Sequence, residues 1–343
     1  MSTKAESQQP IPAPPQVSLL QLATGYMVSQ AVYVAAKLGL ADLITARPCR
    51  VDELAKEVGA DASALRRLLR LLVTCGVFSE DARGGFHQSP VSELLRSGVP
   101  GSLRHALIMW NEEQYRAWGH ILHSVRTGET AFDHAFGAGL YSYLAQHPEA
   151  AATFDAAMTN LTTPVAAAVA QAYNFSSCHT VVDIGGGRGV LVRAILESFP
   201  AVRGVLFDLP PVIDNARRHM VSASLCDRCD LVSGSFFETV PAGGEVYLLA
   251  QVLHNWDDEH SIAILKSCQR AMPPNARILV IETLLGSPFA AQADMHMLAV
   301  LGGRERTEDE YRGLFDRGGF RLTRVISLGG PQSIMEGVRA QAA

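Results

Sequence analysis

Thr180-Val-Val-Asp-Ile-Gly-Gly-Gly-Arg-Gly189 is the stretch whose reading decides the fold. Thr180, Val181 and Val182 form a β-branched run of the kind that fills a buried strand. The run ends in Asp183, and four glycines follow within five positions: Gly185, Gly186, Gly187 and Gly189. From Val190 to Phe199 the apolar residues take helical spacing, and Pro200 closes the segment. Strand, glycine turn and helix together present bare backbone N–H groups at a helix N-terminus, where a ligand can meet them.

The glycine spacing chooses among ligands. Counted from Gly185 and Gly187, a dinucleotide fingerprint G-x-G-x-x-G needs its third glycine at position 190, which holds Val190. The order found, Asp-x-Gly-x-Gly-x-Gly, resembles the first motif of S-adenosylmethionine-dependent methyltransferases, whose ligand carries no pyrophosphate. A purely structural glycine turn is the alternative. The next strand, Val202 to Asp208, ends in an acid about 20 residues past the turn, where nucleoside-binding α/β folds reach the ribose hydroxyls. Asp208 could instead cap the helix near Pro211.

The chain has 343 residues, Lys+Arg 29 against Asp+Glu 34, and a net charge of −5. That length favours two domains, and 48% hydrophobic with 18% charged residues describes a soluble globular protein. The mildly acidic balance lacks the basic footprint that nucleic acid requires. The N-terminus lacks a basic region followed by an apolar core, and no run of 18 apolar residues spans a membrane. The expectation is a cytoplasmic protein, with six scattered cysteines kept reduced. Cys226 and Cys229 form a lone C-x-x-C without a second pair, read as incidental rather than as a zinc or redox site.

Residues 1–16, rich in Pro, Gln, Ser and Ala, read as a disordered tail. From Val17 a broad apolar stripe (Leu19, Leu20, Leu22, Met27, Val28, Val32) predicts a helix too apolar to have one wet face. Helices at 51–59 and 61–73 and a hairpin around Gly84-Gly85 make residues 17–100 winged-helix-like. Winged helices usually bind DNA, and Arg66, Arg67 and Arg70 stand at recognition-helix position. The acidic total and apolar helices favour a dimerisation domain instead.

Residues 101–172 read as a helical linker and substrate-lid region rich in aromatics and methionine. Most of these residues suit a helix core, yet aromatics beside a cofactor domain also enclose flat apolar substrates. Trp110, Phe154, Met158 and Thr162 are the pocket candidates, with Met297 further on. Residues 173–343 alternate strand and helix, the mark of a doubly wound α/β sheet. Strands are expected at 179–184, 203–208, 229–233, 245–250, 277–282, 320–326 and 332–338, the last two as a hairpin around Gly329-Gly330.

Gly234-Ser-Phe-Phe237, Leu253-His-Asn-Trp-Asp-Asp-Glu259 and Gly302-Gly-Arg-Glu-Arg-Thr307 complete the set. With Asp183–Gly189 and Asp208-Leu-Pro210, they resemble the small-molecule O-methyltransferases of the plant caffeic-acid and bacterial polyketide-tailoring type, over roughly 17–338. The resemblance implies a Rossmann-like seven-stranded sheet behind an N-terminal winged-helix-like dimerisation domain. It further implies S-adenosylmethionine as cofactor, an aromatic hydroxylated acceptor and a homodimer without nucleic acid or membrane. By position, His254 matches the family's general base, and Glu282 and Glu305 the acids that orient it. Asp208 matches the ribose acid, Gly185 the turn at the methionine end and Phe236 the residue packed on adenine. Asp183, Gly187, Leu209, Ser235, Ala250 and Gln251 fall in the same cofactor segments. Ser235 stands where the family often has Asp, and Ala250 where plant members have Lys. Both departures weaken cofactor contacts without touching the base.

The implied chemistry is methylation of a hydroxyl. A phenol, with a reference pKa of about 10, keeps its proton at neutral pH. A nearby imidazole can take it, a step worth about 10²–10⁴-fold. No metal is expected, since no H-E-x-x-H string occurs. Alternatives are methylation at nitrogen, a structural use of the cofactor in hydroxylation or decarboxylation, and the DNA-binding regulator.

Overall fold

A computed structural model describes residues 14–45, 47–219, 225 and 227–340. Residues 1–13 of the expected tail, and Cys226 of the C-x-x-C, lie outside that range. The chain forms two compact units, Met1–Asn111 and Glu112–Ala343, and the helical stretch 101–172 is divided between them.

The first unit opens with α1 (Pro15–Lys37), which begins two residues ahead of Val17, inside the span expected to be tail. Then come α2 (Leu40–Leu43), β1 (Cys49–Arg50), α3 (Val51–Val58), α4 (Ala62–Thr74), β2 (Phe78–Glu80), β3 (Gly85–Gln88), α5 (Pro90–Glu93) and α6 (Arg104–Asn111). The Asp61 side chain starts α4 by accepting from the Ala64 N–H at 2.8 Å. Leu65, Leu69 and Leu72 are buried along one face of that helix. Asp81 Oδ1 accepts from the N–H groups of Arg83 and Gly85, which fixes the turn that pairs β2 with β3. The antiparallel sheet runs β1-β3-β2, so the helix–helix–hairpin arrangement is present.

α1 buries only Ala31, Ala35 and Ala36 within this chain. Leu19, Leu20 and Leu22 are 68%, 64% and 80% exposed, an apolar face that a lone polypeptide leaves in water. No uninterrupted apolar run of 18 exists. Even so, α1 reaches a mean hydropathy of 1.2 over an 18-residue window, enough by length and composition to cross a membrane.

The second unit starts with α7 (Glu113–Trp118), α8 (Ile121–Thr127), α9 (Ala131–Phe136), α10 (Leu140–Gln146) and the long α11 (Pro148–Ala172). The sheet segment follows as β4 (Thr180–Ile184), α12 (Val190–Ser198), β5 (Arg203–Asp208), α13 (Pro210–His219), β6 (Cys229–Ser233) and β7 (Val246–Ala250). It is completed by α14 (Asp258–Ala271), β8 (Arg277–Thr283), α15 (Pro288–Val300), α16 (Glu308–Arg317), β9 (Phe320–Ser327) and β10 (Gln332–Arg339). Strand order is β6-β5-β4-β7-β8-β10-β9. Only β10 runs antiparallel to its neighbours, so the expected closing hairpin is there.

Successive residues on a strand face opposite ways, and the sequence supplies apolar side chains for both faces. Val181, Leu248 and Leu279 pack with residues of α11, α12 and α13. Val182, Leu249 and Val280 pack with residues of α14 and α16. A sheet covered on both faces leaves its strand ends as the open edge, and the chain order reverses between β4 and β7. That is the topological switch point at which open α/β sheets hold ligands.

Candidate active site

The glycine turn sits at that edge. Gly185, Gly187 and Gly189 have φ of 67°, 59° and 78°, values that cost a side-chain-bearing residue about 1–2 kcal/mol. A β-carbon on Gly186 would strike Leu206 at 2.5 Å and Asp183 at 2.6 Å, whereas one on Gly187 would meet nothing within 4 Å. The turn is thus pressed onto the sheet on one side and open on the other. Asp183 lies on the pressed side, fully buried, accepting from the Val192 N–H at 3.3 Å. Burial pushes its pKa to about 7.

Asp208 ends β5 and accepts from the Gly187 N–H at 2.9 Å and the Leu209 N–H at 2.7 Å. Burial raises its pKa as well. Each oxygen keeps a lone pair for a further donor. A β-carbon on Gly185 would come within 3.0 Å of Val252 and 3.7 Å of Phe236, so turn and aromatic ring adjoin. Ser235 is turned inward on its own loop, its Oγ accepting from the Phe237 N–H at 3.3 Å. Ala250 ends β7, and Gln251 after it has φ of 55°, the one non-glycine positive φ among the described residues. Strain of that kind gathers at ligand sites. An acid for two hydroxyls, an aromatic face and an open glycine backbone are together what a nucleoside with an amino-acid tail requires.

His254 is buried in a 3₁₀ turn, Leu253–Asn255, just past the end of β7. Its Nδ1 lies 3.0 Å from Glu305 Oε1 and 3.7 Å from Glu282 Oε2. Glu282 projects from β8, and its Oε1 accepts from the backbone N–H groups of Val252, Leu253 and His254 at 3.0, 2.8 and 3.3 Å. One carboxylate therefore caps the turn that carries the imidazole. Burial opposes a charge on His254, but the charges of Glu282 and Glu305 and the hydrogen bond to Glu305 outweigh it, and its pKa rises to about 9. Burial pushes Glu282 up to about 7, against the pull of His254. The three donor atoms lie within 4.8 Å of one another. Such a set can hold a proton on an imidazole or a small cation.

The 302–307 segment locks this turn. Gly303 passes so close to the His254 carbonyl that a β-carbon there would collide with it. The Arg304 N–H donates to the same carbonyl at 2.8 Å. Arg306, fully buried, donates to Leu253 O, Trp256 O and Asp258 Oδ1. Asp294 on α15 accepts from the Glu305 N–H at 2.9 Å.

Phe154, Met158 and Thr162 lie four residues apart on α11, hence on one helical face, and all are half-buried. Phe154 packs on a small core that includes Ala299 and Val300 of α15. Met297 is buried on α15. Trp110 belongs to the first unit, on α6, and is 37% exposed there. The sequence reading picked out the 302–307 string yet assigned a role only to Glu305. Gly303, Arg306 and Asp294 escaped it, as did Trp118 and His296. So did an Arg188–Asp155–Asn215 link, in which Asp155 Oδ2 takes both side chains at 2.9 and 2.7 Å. A groove of about 670 Å³ lined by Cys178, Glu245 and Arg277 among others opens at the strands' N-terminal ends, away from this chemistry.

The chain matches the O-methyltransferase domain family over residues 118–321 and the O-methyltransferase dimerisation domain family over residues 20–98. It is 49% identical to phenazine O-methyltransferase PhzM of Lysobacter antibioticus, over 93% of this chain and 94% of the relative. It is 43% identical to 3-amino-4-hydroxybenzoate 4-O-methyltransferase of Streptomyces cremeus, over 94% and 90%. A phenazine-1-carboxylate N-methyltransferase of Pseudomonas aeruginosa is 37% identical over 91% and 93%. Among solved structures, LaPhzM superposes with a TM-score of 0.90 at 48% identity, covering 95% of this chain and all of that one. The neocarzinostatin O-methyltransferase NcsB1, solved with S-adenosylmethionine and 2-hydroxy-5-methyl naphthoic acid, superposes at 0.81 and 32% identity, covering 96% and 100%.

Proposed function

Because the chain belongs to the S-adenosylmethionine-dependent O-methyltransferases, with that family's catalytic and dimerisation domains in one polypeptide, we propose that it methylates a hydroxyl on an aromatic secondary metabolite, with His254 as general base. The observation that carries this reading is the His254 imidazole held by Glu305 and Glu282 at the ligand edge of the sheet.

In this reading Asp208 takes the cofactor's ribose hydroxyls, Phe236 lies against its adenine, and Gly185 and Gly187 give its amino-acid end room beside the backbone. Asp183, Leu209, Ser235, Ala250 and Gln251 shape the same cradle. The bound cofactor would supply a methyl group on a sulfonium, which an oxygen can take directly while the sulfur leaves as a neutral thioether. His254 presents Nε2, because Nδ1 is engaged by Glu305. As the oxygen–methyl bond forms, the acceptor's proton passes to Nε2 and the two carboxylates stabilise the imidazolium. An imidazole whose pKa is about 9 lies near a phenol's reference value of about 10, so this transfer is close to balanced. Phe154, Met158, Thr162 and Met297 enclose the acceptor, and no metal takes part.

The bare apolar face of α1 seats a second copy of the chain, making a soluble, cytoplasmic homodimer. Burial of Leu19, Leu20 and Leu22 between copies accounts for that face without a membrane. Nucleic acid has no part in this reading: Arg66 of α4 pairs with Glu80, and salt-insensitive passage over heparin is expected. A second reading, methylation at nitrogen, draws on the 37% identical N-methyltransferase. Incubating the protein with methyl-labelled S-adenosylmethionine and a set of hydroxylated aromatics separates these. Label in an aryl methyl ether supports the proposal, label on nitrogen supports the second reading, and unlabelled product refutes both.

A further inference from the structure

α15 carries, beside Met297, a histidine that no sequence pattern marks. Trp118, the last residue of α7, donates its indole N–H to His296 Nδ1 at 3.1 Å, with the two rings 6.4 Å apart and inclined by 22°. A ring nitrogen that accepts a hydrogen bond carries no proton, so the proton of this imidazole resides on Nε2. His296 is half-buried, and no described residue accepts from Nε2. Burial first, and the positive charge of His254 second, push its pKa down to about 4. The ring is therefore neutral at any pH where His254 is active, and it lies within reach of the His254 field. So weak a base cannot draw a proton from a phenol, whose reference pKa is about 10. What it offers is a fixed, uncharged N–H donor.

We propose that His296 is a specificity-determining residue, its Nε2–H donating to an acceptor atom that flanks the hydroxyl His254 deprotonates. This rests on the reading of His254 as the base. The acceptor atom is a ring nitrogen, carbonyl or carboxylate oxygen placed ortho or peri to the hydroxyl. A substrate with C–H at that position leaves a desolvated N–H unpaired, and sites of this kind discriminate by roughly tenfold or more. Trp118 is the positioning residue, since without its indole either ring nitrogen can carry the proton.

1-Hydroxyphenazine and 1-hydroxyanthracene test this, sharing three fused rings but placing nitrogen and C–H respectively beside the hydroxyl. Their binding is measured calorimetrically in the presence of S-adenosylhomocysteine, for the wild type, His296→Phe and Trp118→Phe. The wild type is expected to prefer the phenazine by about tenfold or more. His296→Phe is expected to bring the ratio near one, chiefly by weakening the phenazine, with Trp118→Phe in between. A wild type that binds both alike, or a preference that survives His296→Phe, overturns the proposal. Should the variants fail to fold, nitrogen-15 spectra of histidine-labelled wild type decide. His296 is expected to show an unprotonated Nδ1 and a protonated Nε2 whose signal shifts with 1-hydroxyphenazine alone. The opposite tautomer, or equal shifts with both probes, overturns it. His254→Ala separates the two readings: turnover that persists in that variant refutes the base and leaves the binding ratio to judge His296.

Discussion

His254 and Gly303 meet back to back: the carbonyl oxygen of the histidine occupies the space in which a side chain on residue 303 would begin. The loop that delivers Glu305 to the imidazole is thereby seated against the backbone of the turn it serves, and the Arg304 N–H fastens it there. Gly303→Ala has to push the two segments apart. Overpacking of this kind costs about 1–3 kcal/mol, and the expected result is a lowered melting temperature with turnover reduced far more than cofactor affinity. Gly313→Ala is the control, since nothing lies within 4 Å of a β-carbon there and the residue is inside α16. It should stabilise by about 0.5–1 kcal/mol.

Glu282 caps three backbone N–H groups and Glu305 caps none of them, so their alanine variants should fail differently. Glu282→Ala leaves those donors buried and unpaired and should cost about 3 kcal/mol or more, visible in chemical denaturation. Glu305→Ala should leave stability closer to wild type while cutting turnover, because His254 loses its Nδ1 partner. Equal destabilisation by both would contradict the division of labour drawn from the hydrogen bonds.

In the proposed chemistry the two carboxylates also set the pH dependence. The base must be unprotonated to act, and His254 gives up its proton at about 9. kcat/KM for the acceptor should therefore climb with pH and level off near that value. Glu282→Gln removes a negative charge that favours the imidazolium, so its profile should level off at lower pH. A profile that falls between pH 7 and 9, or an inflection that Glu282→Gln leaves in place, speaks against a base held by these acids.

Asp183 makes a separate prediction about stability. Its folded pKa of about 7 lies above the ordinary 3.8, so the folded state binds this proton more tightly than the unfolded one. The stability it contributes is present below pH 3.8 and lost as pH rises through about 7. Asp183→Asn, whose amide oxygen can still accept from the Val192 N–H, should gain on the wild type across that window. Denaturation curves at pH 4 and pH 8 check the sign.

The donor set of His254, Glu282 and Glu305 would suit a cation, and the proposed chemistry uses none. Exhaustive chelation should leave turnover intact, and added zinc should not raise it. Loss on chelation that zinc or magnesium restores would reassign the cluster.

What the sequence disclosed and what it withheld differ by range. The glycine turn, Asp208 at the end of β5 and the alternating strands are local patterns, because strand period, backbone strain and helix caps act over a few residues. The pairing of His254 with Glu282 and Glu305 was reachable only by resemblance, since the three are brought together by the sheet. Trp118 and His296 stand 178 residues apart, and nothing in either neighbourhood announces the other. Arg306 reads as an exposed charge in a polar string, yet it is fully buried because three oxygen acceptors converge on it. The reach of α1 into its expected tail, and its apolar exposure, follow from what covers a helix, which composition does not state.

The central claim is that one imidazole removes the acceptor's proton, and the most direct measurement compares wild type with His254→Ala in transfer of labelled methyl to a hydroxylated aromatic. Binding of S-adenosylmethionine is followed by calorimetry alongside. The account predicts that the variant binds the cofactor about as the wild type does while label transfer falls by about 10²-fold or more. Transfer at the wild-type rate by the alanine variant would contradict it.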